Sequence, residues 1–198
     1  SALTITEKYD GTSWTEVNNM TTERRALAGF GVQDSAVAAG GYTTTVVATT
    51  EEFDGTNWTN GTNMPSAQTT AVGAGSLTAG VVAGGLPGAT FNYDGTNWTT
   101  GGSLTTPRYY LGASGPQTAS LFFAGITPAP SNTGATEGYD GTSFSSRPSM
   151  ATARNGIGSV TAAPATSTFA IAGSPNSTAV EEFTGETTAA NVKTFTTS

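Results

Sequence analysis

The stretch YDGTSW, Tyr9 to Trp14, returns as FDGTNW from Phe53, YDGTNW from Tyr93, YDGTSF from Tyr139 and, degenerately, FTGETT from Phe183. The leading aromatics are 44, 40, 46 and 44 residues apart. Asp-Gly between two strand-like runs is a strong local hairpin signal, because both residues tolerate positive φ. Working outward, Met20, Met64, Leu104 and Met150 each follow an aromatic by 11 residues, and Arg24, Gln68, Arg108 and Arg154 lie four further on. A small-residue run ending in glycine comes next: AVAAGGY from Ala36, GVVAGGL from Gly80, SLFFAGI from Ser120 and TFAIAGS from Thr168. These markers in one order, four times over, define an internal repeat.

Each unit reads as four short strands, in the first full unit Ala26–Gln33, Ala36–Tyr42, Ala48–Gly55 and Asn57–Met64. No segment carries a capped helical period. Four strands in 40–46 residues are the signature of a β-propeller blade, so the expected fold is all-β: a propeller of four to five blades, each a four-stranded antiparallel sheet. The expected organisation is one domain, 1–198, with repeats at about 21–64, 65–104, 105–150 and 151–198 and an extra outer strand pair at 1–20. Ring closure stays open at this stage. Four blades leave one hairpin over, and five lack two inner strands, which an upstream segment or a neighbouring copy exchanging strands would supply.

The units resemble the kelch-type propeller repeat, with Arg24, Gly40–Gly41, Phe53 and Trp58 in one unit and Gln68, Gly84–Gly85, Tyr93 and Trp98 in another. They depart from it in a shorter Tyr-to-Trp spacing, in Phe144 for Trp, and in Ala124–Gly125 and Ala172–Gly173 for Gly-Gly. The hairpin loop is also similar to the Asp-box of sialidase propellers, with one residue fewer between Asp and Gly. The Thr/Ala/Gly-rich style resembles propeller repeats in structural proteins of tailed bacteriophages, marine ones especially. The kelch resemblance implies that the recurring Arg lies near the mouth of the central pocket, where it can meet acidic partners.

Only 11% of the 198 residues are charged, against about 25% in a typical domain, while threonine reaches 39. Thr suits a pleated surface. There is no His and no Cys, which removes zinc-finger, haem and iron–sulfur sites, thiol nucleophiles and His-dependent triads. The copper chemistry of kelch-like galactose oxidases is excluded on the same ground. A net charge of −7 argues against nucleic acid and anionic membranes, and no apolar run approaches a membrane span. The sequence calls for no cofactor and no metal.

The repeated Tyr9, Trp14, Phe53, Trp58, Tyr93, Trp98, Tyr139 and Phe144 read as packing between adjacent blades. Asp10, Asp54, Asp94 and Asp140 read as turn residues whose carboxylates accept backbone N–H groups. A single acid per loop falls short of the roughly six to eight oxygens calcium takes. Two residues before the third-strand aromatic stand Glu51, Phe91, Glu137 and Glu181, and the Arg position reads Arg24, Gln68, Arg108, Arg154. Both charges vanish in one unit, so Arg and Glu of a blade are expected to meet.

Residues that differ between units carry function more often than shared ones. Arg108-Tyr109-Tyr110 puts two bulky aromatics where other units have Ala26-Leu27 or Thr69-Thr70, and Tyr42 opens the Thr-rich stretch Tyr42–Val47. With the Pro-rich loop Ile126–Ala135 they form the candidate ligand-binding set. Asn19, Asn57, Asn60, Asn97 and Asn176 open glycosylation sequons, as chance alone gives in so Thr- and Asn-rich a chain. The expectation is a non-enzymatic structural or attachment protein on a virion or extracellular surface. Its partners would be other virion proteins or a host-surface glycan or protein, with self-association by strand exchange as a further route. The alternative is a glycan-binding propeller lectin.

Overall fold

A computed structural model describes residues 3–160, 164, 166–184 and, as backbone, 192–195. Among these residues there are eighteen strands and no helix. β1 (Thr6–Tyr9) and β2 (Trp14–Val17) form a two-stranded hairpin. β3 (Ala28–Val32), β4 (Ser35–Ala39), β5 (Thr50–Phe53) and β6 (Trp58–Asn60) make the first four-stranded blade. The second is β7 (Val72–Ser76), β8 (Ala79–Ala83), β9 (Phe91–Tyr93) and β10 (Trp98–Thr100). The third is β11 (Gly112–Ser114), β12 (Ser120–Phe123), β13 (Thr136–Tyr139) and β14 (Phe144–Arg147). The fourth is β15 (Gly158–Ser159), β16 (Thr168–Ile171), β17 (Val180–Phe183) and β18 (Val192–Phe195). All pairings are antiparallel and sequential, so the architecture is a β-propeller with four complete blades. The part of the expected fifth motif beyond residue 184, like residues 1–2 of the N-terminal pair, lies outside the described residues.

Strands are shorter than the sequence predicts because positive-φ residues end them. Ala26 (φ 53°), Gly40 (φ 66°) and Gly41 (φ 106°) interrupt the first blade, and Tyr42 returns only in isolated bridges, to Arg25 and to Val46. Three equivalent residues join successive inner strands around the axis. Thr70 N–H donates to Ala26 C=O at 2.9 Å, Tyr110 N–H to Thr70 C=O at 3.2 Å, and Gly156 N–H to Tyr110 C=O at 2.8 Å.

The core sits in the seams. Ala28, Phe30, Val37 and Ala39 of the first blade pack on Val82, Phe91, Tyr93 and Trp98 of the second. Ala74, Val81 and Ala83 then meet Phe122 and Tyr139, and Leu121 and Phe123 meet Ala170. Phe30 lies edge-on to Tyr93 and Trp98, at 6.4 and 6.2 Å between ring centroids. Its ring occupies the space over Gly80, where a Cβ would fall 2.0 Å from a ring carbon. A larger residue at 80 would therefore push the two blades apart.

The expected inter-blade packing holds for Phe53, Tyr93, Trp98 and Tyr139, which are buried. It is corrected at Tyr9 and Trp14, which are 45% and 67% exposed. In the second blade such rings lie under the preceding blade, as Tyr93 and Trp98 lie under Phe30, and no ring contact of that kind is made to Tyr9 or Trp14 among the described residues.

Candidate functional site

The recurring arginines turn inward. Arg24 Nη2 lies 3.1 Å from Glu51 Oε1, Arg108 Nη2 3.1 Å from Glu137 Oε1, and Arg154 Nη2 3.3 Å from Glu181 Oε1. Arg24 also donates to the carbonyls of Ala38, Gly40 and Thr49. Desolvation holds each guanidinium below its usual pKa, and the facing carboxylate opposes that shift. Each Glu then ties down the segment entering the blade. Thr21 N–H reaches Glu51 Oε2 at 2.6 Å, Thr105 N–H reaches Glu137 Oε2 at 2.8 Å, and Ala151 N–H reaches Glu181 Oε2 at 2.6 Å.

The pairing expected from the joint loss in the second blade is thus present in the other three, and the structure adds a third partner to it. Where Thr21, Thr105 and Ala151 donate, the second blade has Pro65, which has no N–H to give. Gln68 donates instead to Ala89 C=O at 2.9 Å, and Phe91 fills the carboxylate's place. Pro65 belongs to the same exchange, and its signal in the sequence is that proline falls at this position in the one unit that lacks both charges. Arg108, expected to face a ligand, is buried, bonded to Glu137 and to Phe122 C=O. It therefore stands apart from the other candidate residues.

The aspartates close their turns as expected. Asp54 Oδ1 accepts Thr56 N–H at 2.8 Å and Asn57 N–H at 2.7 Å, and Asp10, Asp94 and Asp140 repeat the arrangement. These backbone donors hold all four carboxyls below their ordinary value.

The remaining candidates lie at the end of their blades opposite the aspartate turns, where the inner strands begin, Tyr42 on the first blade and Tyr109 and Tyr110 on the third. Tyr42 lies under the Arg25 guanidinium, 4.9 Å from the ring centroid, and the two residues pair as a β-bridge. Tyr109 pairs with Ile126 in the equivalent bridge of the third blade. Tyr109 and Tyr110 meet edge to face at 5.4 Å, and Tyr110 is 49% exposed. The Tyr42–Val47 stretch is drawn back by Val47 N–H on Gly41 C=O at 3.0 Å. The Ile126–Ala135 loop is closed by Thr127 N–H on Ser131 C=O at 3.0 Å. Beside it, Asn155 Nδ2 donates to Asn132 Oδ1 at 2.6 Å, and Asn132 Nδ2 to Ser174 C=O at 3.2 Å. This end therefore offers aromatic faces with a fringe of uncharged hydroxyls and amides, and a single basic side chain, Arg25, among these residues. Such a surface is suited to stacking and hydrogen bonding.

A hollow between the third and fourth blades is walled by the apolar Phe123, Pro148, Met150, Ala170 and Phe183, with Thr136, Thr168, Glu181 and Glu182 also lining it. No protein-family model matches the chain, and no curated protein matches its sequence.

Proposed function

We propose that the chain is a non-enzymatic structural or attachment protein, a surface or tail-fibre component of a phage virion. It would hold other virion proteins or a host-surface glycan or protein. The observation that carries the reading is that the unit-specific residues Tyr42, Tyr109 and Tyr110, on the first and third blades, lie with their two loops at the same end of a repeating scaffold. Rigid scaffolds that present variable loops at one end are suited to recognition. The resemblance to kelch-type repeats and to phage propellers supports the same reading, as does the low charge.

The test is immunogold labelling and mass spectrometry of purified virions, followed by host adsorption with Tyr110→Ala. The expected result is the chain on the particle surface and reduced adsorption by the variant. Absence from the particle overturns the reading.

A second reading, a glycan-binding lectin, is favoured by the half-exposed Tyr110 and by the hydrogen-bonded Asn132 and Asn155 amides of the neighbouring loops. A glycan array on which the chain binds and Tyr110→Ala does not would select it.

A further inference from the structure

The hollow between the third and fourth blades is a ring socket whose ring position holds a smaller residue. In the first three blades the aromatic that ends the third strand pairs across the hairpin with another: Phe53 with Trp58, Tyr93 with Trp98, Tyr139 with Phe144. In the fourth blade Phe183 pairs with Val192. None of residues 184–191 is aromatic. Phe183 is correspondingly half-buried, while Phe53, Tyr93 and Tyr139 are buried.

The second blade shows what the ring does. Trp98 is buried against the first blade, in one cluster with Ala39, Met64, Val82 and Tyr93. Its Nε1 donates to Thr50 Oγ1 at 3.1 Å and to Thr62 C=O at 2.9 Å. Each of these positions has a counterpart in the walls of the hollow. Phe123, Met150, Ala170 and Phe183 stand for Ala39, Met64, Val82 and Tyr93, with Thr136 for Thr50 and Pro148 for Thr62. The walls are those of a seam that elsewhere closes on an indole.

Two hydroxyls add chemistry to the apolar walls. Thr136 is buried, and its Oγ1 makes only a long bond to Gly134 C=O, at 3.5 Å. Its lone pairs are left for an incoming donor, as Thr50 receives Trp98. Thr168, 2% exposed and in the same walls, has a hydroxyl with no hydrogen-bond partner. A buried hydroxyl left so costs free energy that a bound polar group recovers.

We propose that the hollow binds a small aromatic molecule of the indole class, one or two fused rings with an N–H donor. The rings lie against Phe183 between Phe123 and Ala170. The N–H donates to Thr136 Oγ1 and Pro148 C=O, the bonds that Trp98 makes on the first blade. Apolar cavities left where a large side chain is missing take up rings of matching size. The inference is independent of the virion and glycan readings, because no residue of the hollow belongs to the tyrosine set.

The test is fluorine NMR and calorimetry with 5-fluoroindole added to the whole chain. The expected result is saturable binding that unlabelled indole displaces. 1-Methylindole, which lacks the donor, should bind about tenfold more weakly than indole, the worth of its two hydrogen bonds. Thr136→Val should weaken indole about threefold and leave 1-methylindole unchanged. Ala170→Phe copies Phe122, its counterpart in the third blade, and should fill the hollow and abolish binding. Circular dichroism and the thermal midpoint check both folds, and Thr136→Val, close in shape to the native residue, keeps the test decisive if Ala170→Phe does not fold. No saturable binding, binding that survives in a folded Ala170→Phe, or equal affinity for indole and 1-methylindole overturns the proposal. So does a Thr136→Val variant that weakens both ligands alike.

Discussion

The hairpins Tyr9–Trp14 and Tyr93–Trp98 share a sequence motif and a ring arrangement, with centroids 5.3 and 4.6 Å apart and planes inclined at 37° and 33°. Their surroundings differ completely. Tyr93 is fully buried, under Phe30 and with its hydroxyl donating to Glu52, while Trp14 is 67% exposed. The hairpin geometry is a local property of the Asp-Gly turn and the cross-strand aromatic pair. Burial is a property of what packs over it, and Phe30 of the preceding blade stands over only the second hairpin.

The comparison is broken most severely at the buried ring. Trp98→Ala should cost about 3–5 kcal/mol, as truncations of large core aromatics do, whereas Trp14→Ala should stay within about 0.5 kcal/mol. Urea unfolding of the two variants measures the gap, and equal losses would show that the N-terminal hairpin is packed after all.

The ion pairs sharpen it next. Glu51→Gln and Arg24→Gln should each cost about 3 kcal/mol, because each leaves one member of a buried pair uncompensated. Glu7→Gln, at the same position in the N-terminal hairpin, should change stability by less than about 0.5 kcal/mol. Thr21→Pro, Arg24→Gln and Glu51→Phe together import the second blade's solution. The triple variant should unfold at higher urea than Arg24→Gln alone, the non-additivity expected of residues that share one network.

A gain of about 1 kcal/mol is expected from Phe144→Trp. Trp58 and Trp98 each donate to a Thr hydroxyl of the preceding unit, but Phe144 cannot, and the buried Thr90 hydroxyl at the matching position has no partner. The variant gives it one, and a rise in the thermal midpoint checks the outcome.

The smallest effect is one the N-terminal hairpin and the full blades share. Asp10, Asp54, Asp94 and Asp140 have native pKa values below the ordinary 3.8. They bind protons less readily folded than unfolded, so their stabilisation is full above pH 3.8 and drains away as the pH falls through the lowered values. All four changed to Asn keep an acceptor in the turn but lose the titration. An acid titration followed by circular dichroism should then be shallower below pH 3.8 for the variant.

Much of this was legible because it is local or repeated. The Asp-Gly turns, the four-strand unit and the aromatic pairs recur in the chain at near-constant spacing, and each follows from neighbours a few residues away. The Arg–Glu contact spans 27 positions for Arg24 and Glu51, yet it was readable because the repeat at Gln68 and Phe91 drops both members at once. At the candidate site the result was divided. Tyr42, Tyr109 and Tyr110 do lie at one end, since the repeat fixes which end of a strand each residue occupies. The inward turn of Arg108 was not visible from its own two tyrosine neighbours, because a side chain's direction is set by the carboxylate that meets it.

Sequence alone was enough for the hairpins, the blade unit and the partnership of Arg with Glu, because these depend on turn chemistry and on substitutions that travel together. Which copies of the motif are buried was decided only in three dimensions. Tyr9 and Tyr93 are written alike, and they differ because burial depends on the strands packed over a ring rather than on the ring's own sequence.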